Sequence, residues 1–322
     1  MAFLGRTGLP VSRIGVGLAA LGRPGYITLG HADDLHHDYG VDVMRDHAAA
    51  VLDAAHAAGV RYIDAARSYG RAEQFLAAWL GDRGHPPGSL TVGSKWGYTY
   101  TAQWRTEADE HEVKDHSRPV FARQLGESRT ILGAHLQLYQ IHSATLDSGV
   151  LDDADVLRAL AAARDGGLAI GLTLSGPRQA ETLRRARAIE IDGAPLFATV
   201  QATWNLLERS AGDELRQAHA AGMGVINKEA VANGRLTTRG DVPLLQQAAT
   251  DIGASADALA LAAVLAQPWV DVVLSGAATV EQLQSNLAAL TIDWNGALDA
   301  RVQSIAEAPE HYWAARAKLP WH

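Results

Sequence analysis

The chain contains no cysteine, which excludes disulfide bridges, thiolate metal ligands and cysteine nucleophiles, and fits a reducing compartment. It has no basic surplus either: 28 lysines and arginines stand against 36 aspartates and glutamates, a formal net charge of -8. Nucleic acids and anionic membranes are bound by cationic surfaces, so neither is expected as a partner. No apolar run reaches the roughly 18 residues that cross a bilayer. The opening MAFLGRTGLP lacks the basic stretch and apolar segment of a secretory signal. These absences point to a cytoplasmic protein. A Pro- or Ser-rich linker is missing too, so residues 1–322 read as one domain, and 48% hydrophobic residues supply a sizeable core.

What is present is a repeat of short apolar runs: Ile14 to Val16, Val60 to Ile63, Leu90 to Val92, Leu136 to Ile141, Leu168 to Leu172, Phe197 to Val200, Gly224 to Ile226 and Asp271 to Leu274. Most are continuous rather than alternating, the pattern of parallel strands covered on both faces. Between them lie stretches of helical period. Val43, His47, Val51, Ala54 and Ala58 share one face, and Ala72, Phe75, Leu76, Trp79 and Leu80 form a second stripe. Further stripes run through Phe121, Leu125 and Leu132, through Val156, Leu157 and Leu160, through Leu183 and Ala186, and through Leu283, Leu287 and Leu290. Eight strands alternating with helices predict an α/β protein, a single (β/α)8 TIM barrel. A doubly wound open sheet is the alternative, but no G-x-G-x-x-G opens the chain. Stretches 18–41, 97–118 and 229–252 exceed the repeat; each follows a strand and is read as a βα loop on the catalytic face.

The same rule makes residues at strand ends the candidates for chemistry. Asp64 and Tyr69 follow the second strand, Lys95 the third and His142 the fourth. Lysine is seldom buried without a partner, and Asp64 is one strand away. A free tyrosine titrates too high to be an efficient acid or base at neutral pH, and a nearby ammonium favours its phenolate. His142 supplies a second donor for the same oxygen. Such a set suits proton transfer to a carbonyl, which needs a hydride that no side chain provides, so a nicotinamide cofactor is expected.

Asp64, Tyr69, Lys95 and His142, in this order and on these strands, resemble the catalytic tetrad of the aldo-keto reductases. The likeness extends to LGRTGLPVSRIGVG, similar to that family's N-terminal capping hairpin and first strand, to VQATWNLLE, and to VLSGAATVEQLQSNLAAL. The resemblance implies an oxidoreductase acting on an aldehyde, ketone or aldose carbonyl, or on the alcohol. It implies that Ser275, Gly276, Ala277 and Thr279 line the phosphate end of the cofactor, with Gln282 and Asn286 on the adenine side. Gln201, Thr173 and Ser175 would hold the nicotinamide. Leu174 stands where the family has an amide-binding asparagine, and Lys228 where it has a stacking aromatic. The family default is NADP(H). No basic residue lies between Gly276 and Asn286 to read the extra phosphate, which opens NAD(H) and an NAD-dependent sugar or alcohol dehydrogenase as the alternative. A cofactor-binding redox sensor with little turnover is the reading from a different class.

Trp96, Tyr98, Tyr100, Trp104, Trp204, Tyr312, Trp313 and Trp321 are candidate walls for a pocket, about half of them expected to face it. The principal substrate contacts are expected from Trp96, Tyr98, Trp104 and Trp204. HADDLHHDYGVD at 31–42 matches no metal-ligand spacing and is expected to be a solvated acidic loop, with no metal. DEHEVKDHSRP at 109–119 reads as a polar segment, with His111 or His116 in reach of substrate. Heptads and long free edges are missing, so the oligomeric state stays open.

Overall fold

A computed structural model describes residues 2–321. Eight parallel strands close into a barrel: β1 (Ile14–Gly17), β2 (Tyr62–Asp64), β3 (Thr91–Trp96), β4 (Leu136–Ala144), β5 (Ala169–Leu174), β6 (Thr199–Thr203), β7 (Gly224–Lys228) and β8 (Val272–Ser275). They follow one another in chain order, and β8 pairs with β1. The outer layer is α1 (Val41–Ala57), α2 (Ala72–Asp82), α3 (Arg118–Leu132), α4 (Ala154–Asp165), α5 (Gln179–Arg187), α6 (Gly212–Ala220), α7 (Ala256–Leu265) and α8 (Val280–Leu287). The architecture is thus a (β/α)8 barrel. No single helix among the described residues is long and apolar enough to cross a membrane.

The lower interior is apolar and sealed. A hairpin of Ala2–Phe3 and Pro10–Val11 crosses the N-terminal ends of the strands. It sends Leu4 and Val11 into a layer with Tyr62, Leu138, Ile226, Val272 and Leu274. Tyr62 fits only because two neighbours have no side chain. A Cβ on Gly15 would lie 2.8 Å from its ring, and one on Gly93 would lie 2.7 Å from its hydroxyl, closer than real atoms approach.

Four expectations change. The stripe of α1 is displaced by about one position: Met44, Ala48, Val51, Leu52 and Ala55 are buried, while Val43 is 47% exposed. With alanine on several faces, apolar period alone does not fix which side packs. Leu290 is exposed because α8 ends at Leu287 and a tight turn over Ala288–Thr291 follows. The long 229–252 stretch is a loop only in part, since Pro243–Asp251 forms a helix that packs on α7. Within 31–42, His31 and Asp34 are buried rather than solvated.

Between the barrel and its shell lies one buried carboxylate. Glu73 of α2 accepts from Arg67 at 2.6 Å, Ser94 of β3 at 2.5 Å and Ser128 of α3 at 2.7 Å. It thereby ties two helices and a strand to the loop that carries Tyr69. Removing one partner of a buried ion pair costs about 3–5 kcal/mol, so Glu73→Ala should lower the urea midpoint by that equivalent. Glu73→Gln, which keeps the acceptor, should lose less. Equal midpoints for wild type and Glu73→Ala would show that the network contributes nothing.

Candidate active site

Parallel pairing sets Asp64 beside Gly93 and Lys95 beside Gln140. β3 continues to Trp96, four residues past the apolar run. Strand alternation sends Gly93 and Lys95 inward and turns Ser94 and Trp96 toward the helices. Lys95 is fully buried at the centre of the barrel. Its ammonium pairs with Asp64 and donates to the Ala65 carbonyl at 2.8 Å and to Tyr69 Oη at 3.3 Å. The Asp64 carboxylate also accepts from Tyr62 Oη at 3.1 Å, Gln201 Nε2 at 3.0 Å and Gln140 Nε2 at 3.3 Å. The interior carboxylate is therefore saturated with donors.

His142 reaches the same point through a break in β4. The pairing of β4 with β5 shifts register between Ile141 and Ala144. Ser143 sits there in the left-handed region at φ 54, its N–H held by Thr173 Oγ1 at 2.7 Å. Such a bulge re-aims the neighbouring side chain. His142 Nε2 comes to 3.5 Å from Tyr69 Oη, and Ser68 Oγ lies 3.4 Å from its Nδ1. The four predicted residues Asp64, Tyr69, Lys95 and His142 are brought together.

Electrostatics set their protonation. Burial first, and then the Asp64 charge, push the Tyr69 phenol well above its usual range, against a pull down from Arg23. The phenolate expected from a nearby lysine is therefore opposed by desolvation, and Tyr69 holds its proton at neutral pH. Burial, followed by repulsion from Lys95, Arg23 and Lys228, drives His142 well below 6.5, so its ring is neutral. Burial lowers Lys95, with Asp64 resisting.

A cavity of about 590 Å³ opens above these groups and extends from Tyr98 and His142 to Ser275 and Asn286. Gln201, Thr173, Ser175, Lys228, Ser275, Gly276, Ala277, Gln282 and Asn286 all line it. Thr279 does not; its hydroxyl caps α8 by accepting from the Gln282 N–H at 3.2 Å. Ser275 Oγ donates to Asn286, whose Nδ2 donates to Asp257 at 2.7 Å. Lys228 Nζ donates to Thr203 Oγ1 at 2.9 Å and Glu229 Oε1 at 3.2 Å; burial brings its pKa down to about 8 despite Glu229. Leu174 is buried in the core and presents nothing to the cavity.

Among the expected pocket aromatics, Tyr98 and Trp321 line the cavity and the others do not. Trp96 points outward and packs edge-on against Phe121 at 5.0 Å. Trp204, one step beyond β6, faces out by the same alternation and meets Trp269 at 5.7 Å. Trp104 fastens loops together, its Nε1 donating to the Tyr39 carbonyl at 2.6 Å and its ring against Phe75. Tyr100 accepts from the Trp104 N–H at 3.1 Å, and Tyr312 and Trp313 pack together at 5.5 Å. His116 is turned to the His142 carbonyl at 2.8 Å, and His111 stacks on Trp321 at 4.4 Å.

Sequence reasoning overlooked several cavity residues. Glu229, immediately after β7, accepts from Arg316 at 2.6 Å and 2.9 Å. Burial would raise it, but Arg316 and Lys228 hold it at about 2. The strand-end rule applied to β7 would have found it. Arg23 and Tyr26, deep in the first long loop, carry no spacing signal. Arg239 crosses from the loop after β7 to Asp34 in that same first loop, donating at 2.7 Å and 2.5 Å. Among the described residues no group of side chains is arranged to hold a metal ion.

The donor set fits a dinucleotide. The turn from Ser275 to Ala277 and, through Glu281 and Gln282, the first turn of α8 line the cavity, and the start of a helix is where phosphate is accepted. Gly276 has open space where a side chain would stand. Asn233 Oδ1 is buried at the wall with no partner among the described residues, an acceptor suited to an amide or amino group.

Comparison with known proteins agrees with the barrel fold. A protein of Pseudomonas aeruginosa assigned to the aldo-keto reductases has a similar structure, at 25% identity, with 91% of this chain and 95% of that chain covered and a TM-score of 0.64. The holo form of an aldo-keto reductase from Bacillus halodurans shares the fold at 22% identity, 95% and 96% coverage and a TM-score of 0.70. So does a glycerol dehydrogenase from Gluconobacter oxydans, at 22% identity, 92% and 91% coverage and a TM-score of 0.66. No curated protein matches the sequence. The model of the aldo/keto reductase family matches residues 13–305, nearly the whole barrel, and the chain belongs to that family of carbonyl and alcohol oxidoreductases.

Proposed function

We propose that the protein is a nicotinamide-dependent oxidoreductase that interconverts a small carbonyl compound and its alcohol, with Tyr69 giving and taking the proton. One observation carries the reading: the part-buried phenol of Tyr69 stands 3.3 Å from the Lys95 ammonium and 3.5 Å from the imidazole of His142. The bound cofactor supplies the hydride. Tyr69 donates its proton to the carbonyl oxygen, and the phenolate left behind faces Lys95, whose charge Asp64 keeps in place. With Ser68 donating to Nδ1, the ring proton of His142 sits on Nε2 and adds a second hydrogen bond to the same oxygen.

Ser275, Gly276, Ala277 and the start of α8 would hold the phosphates. Gln282 and Asn286 would hold the adenine side, and Thr173, Ser175 and Gln201 the nicotinamide side. Asp257 and Glu281 also line the α8 end of the cavity, where Glu281 is held in its charged form by its own backbone N–H and the Thr279 hydroxyl. The basic residues lining the cavity all have acidic partners: Arg23 with Glu112, Lys228 and Arg316 with Glu229, Arg239 with Asp34. An extra phosphate dianion beside these carboxylates would meet repulsion, whereas a ribose diol finds an acceptor. NAD(H) is therefore preferred over the family default NADP(H).

Replacing Tyr69 with Phe should reduce turnover by at least about a thousandfold while leaving cofactor affinity unchanged in a fluorescence titration. Undiminished turnover would remove Tyr69 from the chemistry, and a sensor with no turnover would be indifferent to the change. Because the phenol titrates high, oxidation should accelerate by about tenfold per pH unit from neutrality toward pH 9, with reduction flat across that range. An oxidation rate that is flat there would contradict the assigned base. NADH should bind about tenfold tighter than NADPH, and Glu281→Arg should narrow or invert the ratio. Tighter NADPH binding by the wild type would place a cation elsewhere on the phosphate.

A further inference from the structure

Arg23 is the most buried of the lysines and arginines that line the cavity, and the proton-transfer scheme does not use it. Only 2% of it is exposed. Among its hydrogen bonds, Nη1 donates to the Ser68 carbonyl at 2.9 Å and to Glu112 at 2.7 Å, while Nε is buried with no partner among the described residues. The Ser68 bond fixes the guanidinium beside Tyr69, one residue on, and its carbon lies 5.1 Å from the Tyr69 ring centroid. Two more aromatic faces enclose it, Tyr26 at 5.4 Å and Trp321 at 4.7 Å. Glu112 reaches in from the second strand (Glu112–Lys114) of a rim ribbon whose first strand carries Tyr98, opposite His142. Arg23, Glu112, Tyr26, Tyr98 and Trp321 all line the cavity.

We infer that Arg23 and Glu112 are the substrate-recognition pair of this site, and that they select a neutral, polyhydroxylated molecule over an anionic one. The inference rests on the oxidoreductase reading only for the statement that the reacting carbon lies next to Tyr69. A guanidinium offers donors alone and a carboxylate acceptors alone. Side by side, they match neighbouring hydroxyl groups, each of which both donates and accepts. A substrate carboxylate is attracted by Arg23 but repelled at close range by Glu112, which already neutralises that cation. It would have to break a buried, charge-assisted bond to gain one of the same kind. A substrate cation meets the reverse pattern and gains no more. The aromatic faces supply the apolar surface against which the C–H face of a sugar-like ring packs.

The test is calorimetric titration of the full chain, alone and saturated with NAD+, using D-xylose as the neutral probe and D-xylonate as the anionic one. Wild type should bind xylose at least about tenfold tighter than xylonate, the factor of one charge-assisted hydrogen bond. Glu112→Gln uncovers the Arg23 charge without changing the shape of the site, so xylonate should gain and xylose lose, inverting the ratio. Arg23→Lys, checked for folding by circular dichroism, should weaken xylose without strengthening xylonate, because an ammonium lacks the planar fork. Equal or tighter xylonate binding by the wild type, an unchanged ratio in Glu112→Gln, or no heat from either probe would overturn the pair as a recognition element. Turnover is not part of this readout. A chain that binds xylose as expected but neither reduces carbonyls nor oxidises alcohols would refute the oxidoreductase reading and leave the pair standing.

Discussion

The structure turns on an ion pair enclosed by the barrel. Burying Lys95 and Asp64 together forfeits the hydration of both charges, and their attraction offsets that loss only if the remaining lone pairs and protons are also satisfied. Each nearby feature meets that condition. Tyr62, Gln140 and Gln201 donate to Asp64 from three different strands, and the Ala65 carbonyl accepts from Lys95. Tyr62 reaches upward because Gly15 and Gly93 leave it room, and it stands on an apolar layer closed below by Leu4 and Val11. The polar column thus begins where the apolar one ends. Tyr69 and His142 face the cavity at its top, with Asp64 and Gln201 lining it beside them.

The cavity itself is assembled from matched charges rather than from one dominant sign. The Glu229 cluster joins β7 to the helix Pro309–Ala317 through Arg316, and Arg23 with Glu112 joins the first long loop to the rim ribbon. These pairs join loop residues to a C-terminal helix and a rim strand, positions that no shared hydrophobic period relates, so a rigid scaffold is needed to bring them into register. They leave the interior polar but nearly neutral, and a neutral ring of His142 fits that environment better than a charged one.

The scaffold was legible because parallel strands buried on both faces leave a mark in composition alone, and the strand-end rule then picked out Asp64, Lys95 and His142. What failed was the phase of single residues. Trp96 and Trp204 follow the inward-facing Lys95 and Thr203 by one step, and one step along a strand reverses the direction of a side chain. The apolar run stops at Val92 while β3 continues to Trp96, so composition alone conceals that alternation. Arg23, by contrast, has no periodic neighbour and no motif around it; only the fold, by bringing residue 23 against Ser68 and Glu112, gives it a position. Glu229 satisfies the strand-end rule immediately after β7, next to Lys228, whose departure from the family pattern is the stronger signal in the sequence.

The Arg239–Asp34 pair links the loop after β7 to the loop after β1 at the wall of the cavity, with Asp34 almost wholly buried. All the groups in that link belong to the protein. A molecule lying beneath it without touching it gains nothing from the link in equilibrium terms, since the same contacts exist before and after binding. Its effect falls instead on any path between the two states that requires the loops to part. Entry and exit are slowed in equal proportion, and residence time is decoupled from affinity.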